Sequence, residues 1–197
     1  MKTVNIQNVC DEFISGTEEI KNYITKCKQV FSEDMAYLEY SYEQAAIMLY
    51  RLFERFNLRV MVSCLNHDHS HAEEHYSIKL GSHINDDVCE FLVTKGGFFD
   101  FKGRGGLTRV YSDTIGKNHN ISKVIKKHNY EDAIEQLCAI RNYAAHNSAQ
   151  SKKAAMKAFG VTRISNAGKC LKQKHRLDNI ITSLVALANE VKITPMS

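Results

Sequence analysis

An all-α helical bundle is the fold class this sequence predicts, and three observations predict it. Apolar residues recur at helical spacing along most of the chain, as in Ile20, Tyr23, Ile24, Cys27, Val30 and Phe31. The single proline, Pro195, stands among the last three residues, so nothing in the body breaks a helix by that route. A chain of 197 residues with 44% hydrophobic content can bury a core without disulfides or metal, and one domain over residues 1–197 is expected.

Each element follows in order. Thr17 is expected to cap a helix reaching Phe31. A long second helix opens near Ser32 with EDMAYLEYSYEQAAIMLYRLFERF, and NLRVMVSCLN either continues it or begins another element. Residues 66–119 are expected to form an irregular insertion. Within it NHDHSHAEEH reads as a polar surface loop, and GSHINDDVCEFLVTKGG as a helix entered near Ser82 and stopped at Gly96. Five of the ten glycines fall within residues 96–106, which makes GGFFDFKGRGGLTRVYSDTIGKNHN a candidate loop or small hairpin. Helices return with ISKVIKKH, YEDAIEQLCAIRNYAAH, SAQSKKAAMKAF up to Gly160, and NAGKCLKQKHRLDNIITSLVALANEV.

Composition excludes several classes. Cys10, Cys27, Cys64, Cys89, Cys138 and Cys170 are scattered singly, which fits buried thiols in a reducing compartment better than a disulfide framework. MKTVNIQNVCDEF lacks the apolar core of a secretory signal, and no apolar run of about 18 residues suggests a membrane span. A cytoplasmic protein that does not enter the membrane is expected. Charge is uneven: residues 1–100 hold 9 Lys+Arg against 16 Asp+Glu, and residues 101–197 hold 17 against 6. A basic half is the footprint of a polyanion binder, although two complementary faces meeting in the fold or in a dimer would have the same composition.

The candidate chemistry lies in IRNYAAHNSAQ, residues 140–150. Leu137, Ile140 and Ala144 are expected to face a core, while Asn142 and His146 share a face at i and i+4 and Arg141 stands one step round. Arginine neutralises a phosphate with forked donors, and histidine, which ordinarily titrates near neutrality, moves protons. A surface ion pair of Arg141 with Glu135 or Asp132, and a His146 that merely ends a helix, would explain a bare R-x4-H as well.

The stretch AIRNYAAHNSAQSKKAA, late in an all-α chain, resembles the signature of the HEPN superfamily. Ribonuclease members of that superfamily carry R-x4–6-H, often with Asn after the Arg and small residues before the His; Arg141, Asn142, Ala145 and His146 match. The resemblance implies a HEPN-type bundle that dimerises and sets two motifs into one composite cleft. It implies metal-independent endoribonuclease activity, leaving 2′,3′-cyclic phosphate and 5′-hydroxyl ends, in a toxin or defence effector with RNA as substrate and no cofactor. His146 would then move protons at the 2′-hydroxyl or the leaving 5′-oxygen, Arg141 would stabilise the phosphorane, and Asn142 would orient the phosphate or the His side chain. An antitoxin or regulatory protein is a further partner the resemblance implies. HEPN toxins paired with nucleotidyltransferase antitoxins often have a tyrosine two residues after the His; Ser148 stands there, so modification of that tyrosine is not supported. The superfamily also contains non-catalytic modules that bind RNA or a protein partner, which is the alternative.

Three further groups are candidates. Lys152, Lys153 and Lys157 follow the motif, with Lys123, Lys126 and Lys127 before it and Lys169, Lys172, Lys174 and Arg176 beyond; a lysine run is usually a solvated face, but three around one candidate phosphate site suggest an RNA track. Arg104 and Arg109 lie in the glycine-rich region with Phe98, Phe99, Phe101 and Tyr111, which either stack on bases or pack inward. Gly103-Arg104-Gly105-Gly106 lacks the spacing of a nucleotide-binding loop. His67, His69, His71 and His75 have the density of a zinc or nickel site, but their spacing is weak, and a solvated loop is the preferred reading.

Overall fold

A computed structural model describes residues 4–196, so the first three residues and Ser197 of the expected domain lie outside the described residues. All regular structure among the described residues is helical. The α-helices are α1 (Ile6–Val30), α2 (Met35–His67), α3 (Ser70–Tyr76), α4 (Asp86–Thr94), α5 (Arg104–Ile115), α6 (Asn120–Ile125), α7 (Glu131–His146), α8 (Ala149–Ala158), α9 (Ala167–Lys172) and α10 (Arg176–Ile193). The chain forms two compact units. One holds the chain up to Phe13, Phe53–Lys127 and the chain from Leu187 on; the other holds Ile14–Leu52 and His128–Ala186.

Several boundaries differ from the sequence expectation, each for a local reason. Thr17 is not a cap but an interior residue of α1, fully buried, its hydroxyl donating to the Ile14 carbonyl at 2.7 Å. That bond satisfies a polar group where no water reaches it. The second helix starts at Met35, where the Asp34 carboxylate accepts from the Tyr37 amide, and it runs without a break through NLRVMVSCLN. Residues 66–119 are more regular than their composition suggests. Most of HDHSHAEEH lies in α3, the GSHINDD stretch leads into α4 with Asn85 rather than Ser82 as its cap, and RGGLTRVYSDTI is α5 rather than a hairpin. Irregular backbone is confined to the links between them, including the Lys95–Gly103 stretch. One glycine of α5 solves a packing problem. A Cβ on Gly106 would lie 1.7 Å from the Phe101 carbonyl oxygen, so only glycine lets α5 approach that backbone.

The first unit is centred on rings. Phe13, Phe53, Phe56 and Phe101 are all buried, with Phe53 edge-on to Phe101 at 5.8 Å and Phe13 against Phe56 at 4.7 Å. Asn57 is fully buried and satisfied: its amide donates to the Phe53 carbonyl at 2.7 Å, and its oxygen accepts from the Tyr111 hydroxyl at 3.0 Å. Ion pairs Arg59–Glu12, Lys127–Glu190 and Lys192–Asp11 lie on its surface and add little each.

His119 caps α6 by accepting the Ile121 amide on Nδ1 at 3.1 Å. Burial, with lesser contributions from His67 and Lys123, holds its pKa below the ordinary histidine value, against the pull of Asp68. The unfolded chain therefore takes up this proton more readily. The cap's contribution is complete above the ordinary histidine range and is lost as pH falls through it. His119→Asn keeps an acceptor that does not titrate. Between pH 7.5 and pH 5 the parent is expected to lose about 2–4 °C more in melting temperature than this variant. Equal losses would show that the cap is not what titrates.

In the second unit α7 packs against α8 and α9. Leu137 and Ile140 of α7, Leu49 of α2 and Ile181 and Leu184 of α10 are fully buried there, each worth about 1.5–3 kcal/mol of hydrophobic stabilisation. The final helical stretch of the sequence divides into α9 and α10 at Lys174 and His175, both with positive φ. Gly168 of α9 sits where a Cβ would lie 1.9 Å from the Glu39 carbonyl oxygen of α2, and its amide donates to Glu43 at 3.2 Å. Beside it the Asn166 side chain donates to Glu39 at 2.6 Å.

Candidate functional site

The motif residues stand on the last two turns of α7. The helix ends at His146 because Asn147 adopts a left-handed conformation (φ 44, ψ 36), with its amide donating to the Tyr143 carbonyl. Asparagine tolerates that conformation better than most residues. Ser148 then caps α8 in a reciprocal capping box with Ser151. Position 148 thus has a local structural role that serine fulfils. The corner of Asn147 and Ser148 holds His146 at the surface, exposed, with no hydrogen-bond partner among the described residues.

Arg141 is half-buried. Its guanidinium lies 4.3 Å from the centroid of the buried Tyr50 ring of α2, a cation–π contact worth about 0.5–2 kcal/mol. Its Nη1 donates to the Asn142 oxygen at 2.8 Å. No carboxylate pairs with it among the described residues; Glu135 and Asp132 do not take that place. Nε and Nη2 remain as donors without an acceptor among the described residues. Asn142, expected to orient a phosphate or the histidine, accepts from the arginine. Arg141 and His146 do not touch. Five residues apart on one helix, they diverge by about 140° around its axis.

Next to the motif, Glu39, Glu43, Tyr40, Ala144 and Asn147 line a concavity of about 240 Å³. Burial, the Glu43 carboxylate and Cys170 raise the pKa of Tyr143, whose hydroxyl donates to the Ser165 carbonyl at 3.0 Å. Two carboxylates make this concavity a poor phosphate seat; Ala144, expected in the core, forms part of its wall. Sequence reasoning missed Tyr50, Glu39 and Glu43. Nothing in the apolar run of α2 marks Tyr50 as the seat of an arginine.

The remaining candidates separate. Lys153 and Lys157 are exposed one turn apart on α8, whereas Lys152 is half-buried and lines a different, larger cavity. Arg104 and Arg109 belong to the other unit. Arg104 donates to the Lys126 carbonyl at 2.7 Å and helps tie α5 to the end of α6, while Arg109 is exposed. Of the aromatics flanking them, Phe101 and Tyr111 pack inward and Phe98 is fully exposed. His71 and His75 stack at 5.9 Å, and His71 Nε2 lies 3.0 Å from the Ser112 carbonyl. His67 ends α2 and His69 precedes α3. Among the described residues no three His, Cys, Asp or Glu side chains converge as a metal ion would require. All six cysteines are free and buried, and burial pushes the Cys10 and Cys64 thiols up to about 12, far from a nucleophilic thiolate.

No helix among the described residues is long and apolar enough to cross a membrane. No family model, no curated protein and no solved structure matches this chain.

Proposed function

We propose that this chain is a HEPN-type endoribonuclease that acts as a homodimer in the cytoplasm, as a toxin or defence effector, and cuts RNA without a metal ion. The observation that carries the proposal is the state of the motif pair. Among the described residues His146 is exposed at a helix end with no hydrogen-bond partner, and Arg141 is seated on Tyr50 with two free donors and no carboxylate to neutralise it.

The chemistry uses these groups directly. A ring nitrogen of His146 takes the proton of the 2′-hydroxyl as that oxygen attacks phosphorus, or returns one to the 5′-oxygen as its bond to phosphorus breaks. Arg141 donates Nε and Nη2 hydrogen bonds to the phosphorane oxygens, while Asn142 and Tyr50 keep the guanidinium in place. Because Arg141 and His146 diverge on one α7, a cleft using both draws them from two copies. The exposed Tyr40 of α2, which lines the concavity beside Ala144 and Asn147, offers an aromatic surface for that association. Lys153 and Lys157 hold the RNA strand through its phosphates.

The test is cleavage of a mixed RNA pool by purified dimer in excess EDTA. Undiminished cleavage, with cyclic phosphate ends on the products, is expected. Activity lost with chelator and restored by zinc or manganese would transfer the chemistry to His67, His69, His71 and His75. RNA binding with no cleavage under any condition would leave the non-catalytic alternative, a HEPN module that binds RNA or a protein partner.

A further inference from the structure

We infer that the second unit carries a separate binding pocket for a compact diphosphate-bearing ligand of nucleotide size. The cavity has a volume of about 560 Å³ and is walled by α8, the segment linking α8 to α9, α9, and the start of α10. Lys152, Arg163, Lys169 and Arg176 line it, and no carboxylate does. Thr162 and Ser165 add hydroxyl groups, while Met156, Val161 and Ile164 supply apolar wall. The volume falls in the range of sites that enclose small ligands.

The charge is uncompensated by design of the chain. Between Glu135 and Asp178 the sequence has no Asp or Glu, although it has nine Lys and Arg. None of the four lining cations forms an ion pair with a carboxylate among the described residues. Four like charges facing one concavity repel one another, an arrangement relieved when an anion enters.

Arg176 is held ready rather than left loose. Its Nη1 donates to the Cys170 carbonyl at 3.0 Å and lies 3.3 Å from the Cys170 sulfur. Its guanidinium lies 5.3 Å from the Phe159 ring. Immediately before it, Lys174 and His175 take left-handed backbone conformations (φ 53 and φ 54), unfavourable for both residue types. Gln173 and Arg176, on either side of that link, both line the cavity.

The density of charge favours a diphosphate over a strand. An RNA backbone spreads its charges along an extended path and is matched by a track of cations. A diphosphate concentrates charge in one small group, and four cations lining a single cavity, two of them with forked guanidinium donors, suit it. The inference stands without the ribonuclease proposal, since neither Arg141 nor His146 lines the cavity.

Calorimetric titration of the full chain with ADP and with pyrophosphate tests it, with adenosine as control. Both phosphates are expected to bind and to compete for one site, and adenosine is expected not to bind. Arg163→Glu combined with Lys169→Glu should weaken both by about tenfold or more, the scale of losing a charge-assisted contact. Both side chains are exposed, so the fold should persist; the double glutamine variant, with an unchanged circular dichroism melt, should show the same direction. His146→Ala should bind ADP as the parent does. No binding of either probe at millimolar concentration would overturn the inference. So would equal binding by the charge-reversed variant, or binding of oligoribonucleotides alone.

Discussion

His146→Ala is expected to lower RNA cleavage by about 100-fold or more, the scale of removing a general acid–base group. Arg141→Ala is expected to cost a similar factor by leaving charge on the phosphorane uncompensated. The double variant should cost little more than the worse single, because groups acting in one step are not additive. Stability separates the two singles. His146 is exposed, with no hydrogen-bond partner among the described residues, so its removal should leave the melting temperature unchanged. Arg141 loses its seat on Tyr50 as well, a contact worth about 0.5–2 kcal/mol, so its variant should melt a few degrees lower. Cleavage per folded molecule is therefore the quantity to measure. Should both variants cleave normally per folded molecule, Arg141 would be a packing residue, His146 a helix end, and the ribonuclease proposal would fall.

Phe53→Ala is expected to have the largest effect on stability. Phe53 is fully buried, with Phe13 at 5.9 Å and Phe101 at 5.8 Å between ring centroids. Truncating a buried phenylalanine costs about 3–5 kcal/mol, through lost transfer energy and the cavity left behind. In a chain of this length each kcal/mol moves the midpoint by about 2–4 °C, so a fall of about 6–20 °C is expected by calorimetry. Phe98→Ala is the control, since that ring is fully exposed at 101% and should change nothing measurable. A shift for Phe53→Ala no larger than for the control would mean that the ring cluster does not support the first unit.

The sequence by itself determined the all-helical class and the identity of α7, because a 3.6-residue apolar period is a local property that burial on one face imposes. It also placed Ser148 just past the motif helix, where a short hydroxyl side chain favours a helix start. What it could not do was separate loop from helix where glycine and histidine dominate. GRGGLTR reads as a turn because glycine is a poor helix former, yet α5 needs Gly106 to approach the Phe101 carbonyl. HDHSHAEEH reads as a loop because it is polar, yet Ala72 is buried and anchors α3.

Only the tertiary structure decided which charges are free. Arg141 lies on Tyr50, 91 positions earlier in the chain, and no spacing rule connects them. Lys152 and Lys153 are neighbours in sequence, but a helix turns about 100° per residue, so one lines a cavity and the other lies in solvent. Arg163 carries no motif at all; it becomes part of a cationic pocket because the link between α8 and α9 returns it to Lys169 and Arg176. Periodicity is written in near neighbours, whereas the partner of a charge is chosen by the fold.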